Sequence, residues 1–493
     1  MFRKIAKLHI VLLFLFVQLV NTASSQEKKY SDEIEKKINE VENNLGLWVQ
    51  IEGATNKNSL KDRMAFYHIN GVSIAVIKNY KLEWARGYGW ADSAKQTPVT
   101  NATLFQAGSI SKSLNGVGVL KLAQDKKLDL YADINGYLKT WKFPYDSVSR
   151  GKKITTANLL SHTAGLTVHG FPGYENGTTI PSVPDILDGK KPQVNTAAVR
   201  SAFEPGLKFQ YSGGGTTISQ LMLADITGKA YEVWMFDNIL KPLGMNNSTY
   251  SQSTSTDKEK WKATAYYNDG KPVKGQYHIY PEMGAAGLWT NPTDLAAYII
   301  ETQLALAGKS SKVLSPETTK LRLTPYIDSS AALGVFIVKK GDQRYFQHGG
   351  VDEGFVSVYY GSMENGNGVV VMVNSYNTGI LNEIVNSVAK VYDWKGFYAP
   401  QTKKTVKVNR EILQSYEGKY HVGNSDLLIT AESDGLVLFQ GDNKMNMYFI
   451  SDTDFFLFES PESTFSFTKD NNNKIDGFDQ KRGTNVYKIK RVD

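Results

Sequence analysis

The chain has 493 residues, of which 41% are hydrophobic and 21% charged. This composition is typical of folded chains, and the length allows more than one domain. The formal net charge is +7, but basic and acidic residues are interspersed, which argues against nucleic acid as a partner. The chain contains no cysteine, so disulfides, thiolate metal sites and a lipidated cysteine anchor are excluded.

Residues 1–25 have the pattern of a secretion signal peptide. Three basic residues in the first seven positions precede an apolar run over 10–20, and small residues follow at Ala23 and Ser25. The run is shorter than the roughly 20 residues that cross a bilayer. We therefore predict cleavage, export to a bacterial periplasm or the exterior, and no membrane span in the mature chain. The alternative is an uncleaved N-terminal anchor.

The elements of region 26–396 indicate an α+β domain. An amphipathic helix over 31–45 precedes two strand-like runs, 71–77 and 82–90, and Ser109 opens a helix with an apolar face. The later predicted elements are helices 155–161, 216–227, 230–239, 293–306 and 380–393, and strands 333–340, 345–350, 355–361 and 368–375. Because strands come from both ends of the region, we expect one antiparallel sheet packed against helices, with a helical subdomain between its two halves.

The pattern changes after residue 396. Residues 397–410 are polar, include a proline and are predicted to be a linker. From 411 to 493, short β-rich runs alternate with Gly, Asn and Asp turns. This alternation predicts about eight strands, forming a small antiparallel barrel.

The stretch GSISKSLNG, residues 108–116, places Ser109 three residues before Lys112. Positions i and i+3 share one face of a helix, so the amine can lie beside the hydroxyl and help to remove its proton. The N–H groups of a helix N-terminus can also stabilise a developing oxyanion. The alternative is a plain capping serine, because Ser-x-x-Lys recurs elsewhere, for example at Ser387 and Lys390.

Two further segments carry candidate site residues. Tyr211 lies in a glycine-rich turn just before a helix, where its hydroxyl can reach a cleft and act as a base. His348 ends a strand-like run before Gly349 and Gly350, which allow a substrate backbone to lie close to the strand. His348 can donate a hydrogen bond or carry charge toward a carboxylate. The alternatives are a packed or surface tyrosine and a histidine with an ordinary structural partner.

Together these segments resemble the serine hydrolases related to class C β-lactamases and D-Ala-D-Ala carboxypeptidases. Ser109-Ile-Ser-Lys112, Tyr211-Ser-Gly213 and His348-Gly-Gly350 are similar, in the same order, to that family's Ser-x-x-Lys, Tyr-x-Asn and Lys-Thr-Gly or His-x-Gly. The resemblance covers about residues 35–395, with similar segments at 70–92, 155–166, 225–250 and 285–298. His162 lies in the second of these segments and is interpreted as structural.

The resemblance implies a β-lactamase-like fold and acyl transfer. Ser109 would form an acyl-enzyme, Lys112 and Tyr211 would share the proton transfers, and the backbone N–H groups of Ser109 and Val351 would form the oxyanion hole. No metal or organic cofactor is implied. The C-terminal barrel resembles the lipocalin-like domains appended to some of these hydrolases, where it either shapes the cleft or is a passive appendage.

Two departures from the family pattern bear on the substrate. Gly213 stands where β-lactamases have the asparagine that contacts the substrate amide, and His348 stands where they have the carboxylate-binding lysine. Both resemble esterase and D-aminopeptidase relatives. We therefore predict a small-molecule or peptide substrate carrying an ester or a D-amino-acid amide. The alternatives are a β-lactamase or D-Ala-D-Ala carboxypeptidase, and a non-catalytic binding or sensing protein of the same fold.

Overall fold

The structure is a computed structural model that describes residues 30–53, 58–253, 257–423, 425–432, 435–441, 443–460 and 462–492. The predicted signal peptide, 1–25, lies outside these residues. Among the described residues, those up to Glu40 and those from Val41 onward belong to two separate compact units. In the described ranges, no helix combines the length and the apolar character needed to cross a bilayer.

The helices confirm the predicted alternation of helix-rich and strand-rich segments. In chain order they are α1 Asp32–Glu42, α2 Leu60–Phe66, α3 Ser111–Gln124, α4 Thr156–Leu160, α5 Val183–Asp188, α6 Gly213–Thr227, α7 Tyr231–Met235, α8 Lys241–Leu243, α9 Met283–Ala286, α10 Pro292–Leu306, α11 Pro316–Arg322, α12 Gly379–Val391 and α13 Arg410–Ser415. A π-helical turn, Phe236–Leu240, continues α7. Helix α6 starts three residues before the predicted position because Ser212 Oγ accepts a hydrogen bond from the Gly215 N–H at 3.0 Å and so caps a glycine-rich first turn.

The strands before the barrel are β1 Val49–Ile51, β2 Gly71–Lys78, β3 Lys81–Asp92, β4 Thr97–Pro98, β5 Phe105–Gln106, β6 Tyr174–Glu175, β7 His278–Ile279, β8 Trp289–Thr290, β9 Phe336–Lys340, β10 Gln343–Asp352, β11 Phe355–Ser362, β12 Gly368–Val373 and β13 Gln401–Lys403. Seven of them form the predicted antiparallel sheet, in the order β4-β3-β2-β12-β11-β10-β9. Strand β2 pairs with β12, so the two ends of the domain meet at the centre of the sheet.

The sheet is covered on both faces. Strand β12 is buried at all six positions, and successive side chains of a strand point to opposite faces. Val370 and Met372 belong to the core that also contains Leu114 of α3 and Ile299 of α10. The intervening Val371 is equally buried and faces the side on which α12 packs. Helix α3, which follows Ser109, is thus held between the sheet and the helical subdomain.

The C-terminal region is a nearly closed nine-stranded antiparallel barrel, one strand more than the sequence indicated. Its strands are β14 Gly418–Val422, β15 Ser425–Glu432, β16 Gly435–Gln440, β17 Asn443–Asn446, β18 Tyr448–Phe449, β19 Asp454–Phe456, β20 Ser463–Lys469, β21 Ile475–Arg482 and β22 Asn485–Arg491. Strands β17 and β18 lie at opposite ends of the sheet order but are separated in sequence only by Met447. The barrel has its own core, in which Tyr416 and Phe467 stack with ring centroids 3.7 Å apart.

The segment predicted as a linker, 397–410, contains regular structure. Strand β13 pairs in parallel with β1, and three residues later the Val406 N–H donates to Phe449 O in the barrel at 2.9 Å. Lys403 Nζ lies 4.6 Å from the ring centroid of Phe456. The segment therefore contacts both the region before it and the barrel after it.

Candidate active site

Ser109 and Lys112 lie side by side at the start of α3. Ser109 is in a 3-10 turn, Gly108–Ile110, that leads directly into the helix. Lys112 Nζ donates hydrogen bonds to Ser109 Oγ at 2.8 Å and to Ala285 O at 2.7 Å. Lys112 is buried, whereas Ser109 is partly exposed. The hydroxyl is therefore paired with the amine and remains open to a substrate.

The capping alternative for Ser109 does not match this geometry. Ala107 precedes the 3-10 turn and Ile110 precedes α3, and neither provides a side-chain cap. The Ser109 hydroxyl instead has the lysine amine as its partner. By comparison, Ser387, which has the same spacing to a lysine inside α12, donates its hydroxyl to Val41 O at 2.9 Å.

Tyr211 reaches the same place from a distant part of the chain. Lys112 Nζ lies 5.1 Å from the centroid of its ring. Tyr211 directly precedes Ser212, the capping residue of α6, so the start of that helix fixes its backbone. The amine of Lys112 is thus shared by a hydroxyl and a phenol ring that are far apart in the sequence.

His162 was interpreted as structural, and the structure places it directly against Tyr211. Its carbonyl oxygen accepts the Gln210 N–H at 2.8 Å, and its ring Nδ1 accepts the Ser212 N–H at 3.2 Å. The two rings lie 4.3 Å apart between centroids. Burial, followed by the nearby charge of Lys112, lowers the pKa of His162 well below its ordinary value. A neutral His162 therefore holds both chain neighbours of Tyr211.

His348 differs from its prediction in two respects. It lies inside β10, which continues to Asp352, and not at the end of a strand. Burial, and then the charge of Lys112, lowers its pKa to about 3, which favours a neutral ring at neutral pH and a hydrogen-bonding role over a charged one. Its Nδ1 donates to Gly349 O at 2.6 Å, which leaves Nε2 as an acceptor.

An aromatic side chain that the sequence analysis did not single out completes this wall of the site. Phe336 lies 5.3 Å from His348 and 6.4 Å from Tyr211 between ring centroids. It also lies 6.2 Å from His162. The surroundings of Tyr211 are therefore aromatic and uncharged on the side of β9 and β10.

Two glycines allow the turn before Ser109 to lie directly against β10. An added β-carbon at Gly350 would lie 1.8 Å from Ala107 O, and one at Gly108, whose φ is +50°, would lie 2.5 Å from Val351 N. No side chain fits between these backbones. The two predicted oxyanion donors, the N–H groups of Ser109 and Val351, thus belong to segments in direct contact.

Gly213 is backed by a loop that leaves no room for a side chain. Its N–H donates to His169 O at 3.1 Å. An added β-carbon would lie 2.9 Å from Cε2 of Phe171. The space into which an asparagine side chain would extend is therefore occupied by an aromatic ring.

Two buried carboxyl groups were not predicted from the sequence. Glu282 is 0% exposed, neither of its side-chain oxygens has a hydrogen-bond partner, and burial raises its pKa to about 8. Burial raises the pKa of Asp352 well above the ordinary range, against the opposing effect of the Lys112 charge. Their roles depend on burial, which the sequence does not display. In the ranges that the structure covers, no cluster of three or more His, Asp or Glu side chains could hold a metal ion.

An antiparallel sheet between two helical layers, with a serine–lysine pair at the start of a buried helix, is the architecture of β-lactamase-type serine hydrolases. The Beta-lactamase family model matches residues 57–383. The chain belongs to that family.

Two relatives each match a little under two thirds of the chain. Protein flp of Staphylococcus aureus (strain MW2) is 28% identical over 322 residues, which cover 62% of this chain and 60% of that protein. The match with this relative therefore spans less than two thirds of its length. The putative penicillin-binding protein PbpX of Bacillus subtilis (strain 168) is 26% identical over 320 residues, 64% of this chain and 73% of that protein.

Solved structures share the fold. The octameric penicillin-binding protein homologue from Pyrococcus abyssi superimposes with a TM-score of 0.61 at 19% identity, covering 87% of this chain and 98% of that one. The D-amino acid amidase from Ochrobactrum anthropi SV3, complexed with L-phenylalanine amide, superimposes with a TM-score of 0.54 at 20% identity, covering 73% and 99%.

Proposed function

We propose that this protein is an exported serine hydrolase that cleaves an ester or a D-amino-acid amide through an acyl-enzyme on Ser109. The observation that carries the proposal is the 2.8 Å hydrogen bond between Lys112 Nζ and a partly exposed Ser109 Oγ, with the Tyr211 ring on the same amine. A serine becomes a nucleophile when a neighbouring group takes its proton.

The proposed reaction has two halves. Ser109 Oγ attacks the substrate carbonyl carbon while Lys112 and Tyr211 take its proton, and the N–H groups of Ser109 and Val351 stabilise the resulting oxyanion. The tetrahedral intermediate expels an alcohol or amine, which receives that proton, and leaves an acyl ester on Ser109. Water then attacks this ester by the same route, and the acid is released.

The walls of the site support the proposed substrate class. His348 is neutral, and Phe336 packs beside it, so this wall offers no positive charge to a substrate carboxylate. Phe171 occupies the space beside Gly213 from which an asparagine would contact a β-lactam amide. The first feature disfavours a substrate with a terminal carboxylate, and the second disfavours a β-lactam amide. One of the structural neighbours is named a D-amino acid amidase, and its name matches the amide class of substrate proposed here.

A second candidate is a β-lactamase or D-Ala-D-Ala carboxypeptidase. The family description and the penicillin-binding name of the relative from Bacillus subtilis favour it. The two candidates share the Ser109 acylation step and differ in the leaving group.

A substrate panel distinguishes them. The purified protein, Ser109→Ala and the matched control Ser387→Ala are incubated with p-nitrophenyl esters, D-alanine p-nitroanilide, D-Ala-D-Ala peptides and a chromogenic cephalosporin. We expect ester or anilide turnover in the wild type and in Ser387→Ala, and none in Ser109→Ala. Faster turnover of the cephalosporin or of the D-Ala-D-Ala peptide would replace the first candidate with the second. Turnover that survives in Ser109→Ala would refute both.

A further inference from the structure

Helix α9 carries the second hydrogen-bond acceptor of Lys112. Ala285 O accepts a hydrogen bond from Lys112 Nζ at 2.7 Å, beside the 2.8 Å bond between the same amine and Ser109 Oγ. A bond to a fixed carbonyl sets the rotation of the amine, because each N–H has its own direction. The position of Ala285 O therefore determines how the amine meets the Ser109 hydroxyl.

A helix as short as α9 needs support from other elements. It has four residues, whereas isolated helices shorter than about 12 residues are marginal in water. The ends of a helix also leave backbone N–H and C=O groups without partners inside it. Glu282, the residue before α9, makes no side-chain cap. Side chains from other elements must therefore hold this turn.

Gln220, on α6, provides one such support. Its Oε1 accepts a hydrogen bond from the Gly284 N–H at 2.8 Å, and its Nε2 donates one to Pro281 O at 3.0 Å. A glutamine amide can do both because it carries an acceptor and two donors. Gln220 is 3% exposed, so water does not compete readily for these bonds.

Gln252 makes the same kind of contact at the two ends of the segment 280–287. Its Oε1 accepts the Tyr280 N–H at 2.9 Å, and its Nε2 donates to Gly287 O at 2.7 Å. Like Gln220, it is buried. Ala285 lies between Gly284 and Gly287, so one glutamine contact precedes it and another follows it.

We propose that Gln220 is a positioning residue that, together with Gln252, fixes Ala285 O and thereby orients the Lys112 amine toward the Ser109 hydroxyl. The inference rests on the proposed function, because it assumes that Lys112 takes part in removing the Ser109 proton. Gln220 bonds to the backbone of the segment 280–287, so its effect reaches the reaction through Ala285 O.

Two substitutions remove the glutamine contacts one at a time. Gln220→Met keeps a side chain of similar length but has no amide, so the Gly284 N–H and Pro281 O both lose their partner. Gln252→Met does the same at Tyr280 and Gly287.

Gln303→Met is the matched control. Gln303 is 2% exposed and also makes two hydrogen bonds to the backbone, to Ser362 O at 3.0 Å and to Asn367 O at 2.8 Å. Ser362 pairs with Tyr345, at the opposite end of the β10–β11 pair from Val351. This substitution therefore removes an equivalent buried amide at a distance from the site.

The readouts are kcat and KM for the best ester, and the rate at which a fluorophosphonate labels Ser109. We expect Gln220→Met to lower kcat and the labelling rate about 10- to 100-fold with KM within about threefold, because a misplacement of about 1 Å costs about 100-fold in rate. Gln303→Met should keep both rates within about threefold of the wild type, even where it lowers the melting temperature.

A double-mutant cycle tests whether the effect passes through Lys112. In Lys112→Ala the amine is absent, so adding Gln220→Met should change the remaining labelling rate by less than about twofold. A loss as large as the one that Gln220→Met causes in the wild type would show that Gln220 acts by another route, and the proposal would be wrong.

Folding of the variants is judged by their melting curves. A kcat of folded Gln220→Met within about threefold of the wild type overturns the proposal. If Gln220→Met does not fold, Gln252→Met decides by the same criterion. If neither folds while Gln303→Met does, the two glutamines are structural and the proposal is wrong.

Amide hydrogen exchange distinguishes this proposal from the proposed function. If the wild type shows neither turnover nor labelling that depends on Ser109, the proposed function fails by itself. The glutamine contacts still predict faster exchange of the segment 280–287 in Gln220→Met than in Gln303→Met. Equal exchange in the two variants would overturn the positioning role.

Discussion

Replacing Gly350 by alanine should separate the two halves of the active site without unfolding the protein. Gly350 lies where β10 meets the turn before Ser109. An added β-carbon there would lie 1.8 Å from Ala107 O, and protein β-carbons do not approach closer than 3.0 Å. The contact must therefore open by at least 1.2 Å. The atom that blocks the methyl group is a backbone oxygen, so a side-chain rotation cannot relieve the clash.

The size of the effect follows from that displacement. A misplacement of about 1 Å in a catalytic constellation costs about 100-fold in rate, and losing one oxyanion donor costs 10² to 10³. We therefore expect kcat for ester hydrolysis to fall at least about 100-fold in Gly350→Ala. Gly349→Ala is the comparison, since its added carbon would meet only Ser357 O at 3.7 Å, an ordinary contact.

The assay is steady-state hydrolysis of a p-nitrophenyl ester by both variants, with far-UV circular dichroism and melting temperature to establish folding. Gly350→Ala should lose at least about tenfold more kcat than Gly349→Ala. Equal activity in the two folded variants would show that close contact between the turn and β10 is not required. The reasoning about the oxyanion hole would then be refuted.

Three further predictions concern residues around the site and one distant ion pair. His162→Ala should lower kcat about 10- to 100-fold at nearly constant KM, because an unpaired Ser212 N–H costs about 1–3 kcal/mol. His162→Asn, which keeps a hydrogen-bond acceptor, should recover part of this loss. A kcat of His162→Ala equal to that of the wild type would contradict a positioning role. Burial raises the pKa of Glu282 from its ordinary 4.5 to about 8, so its contribution to stability is complete below pH 4.5 and is lost as the pH rises to 8. Between pH 5 and 8.5, urea unfolding should therefore show a smaller loss of stability in Glu282→Gln than in the wild type, by up to roughly 4 kcal/mol. Identical pH profiles of the two proteins would refute this. Arg63 donates hydrogen bonds to both carboxylate oxygens of the buried Glu383, at 2.6 and 2.7 Å. Arg63→Met should therefore lower the free energy of unfolding by about 3 kcal/mol and leave kcat unchanged. Urea unfolding identical to that of the wild type would mean that the ion pair makes no net contribution to stability.

The parts of the fold that could be predicted are those with a local signal. The mainly apolar run of β2 and the periodic apolar residues of α10 located those elements within one or two residues of their observed ends. The contact between Ser109 and Lys112 was predictable because helix geometry fixes the i, i+3 relation. The exact strand count of the barrel was not, because one apolar run divides at Met447 into β17 and β18.

The rest of the site depends on burial and on distant contacts. No pattern in the sequence connects His162 to Tyr211, since the relation arises when α4 and α6 pack together and the chain after α4 turns back onto the start of α6. The neutral state of His348 follows from its burial beside Lys112, whereas the residue type alone permits either charge state. Asp352 has the appearance of an ordinary acid in a hairpin turn, and only its burial in the folded chain raises its pKa well above the ordinary range.

The most direct measurement is the site of covalent labelling by a fluorophosphonate probe. The probe is incubated with the wild type, Ser109→Ala and Ser387→Ala, and the modified residue is identified by peptide mass spectrometry. The account predicts one adduct, on Ser109, in the wild type and in Ser387→Ala, and no adduct in Ser109→Ala. An adduct on another serine, or undiminished labelling of Ser109→Ala, would contradict the central claim that Ser109 is the nucleophile.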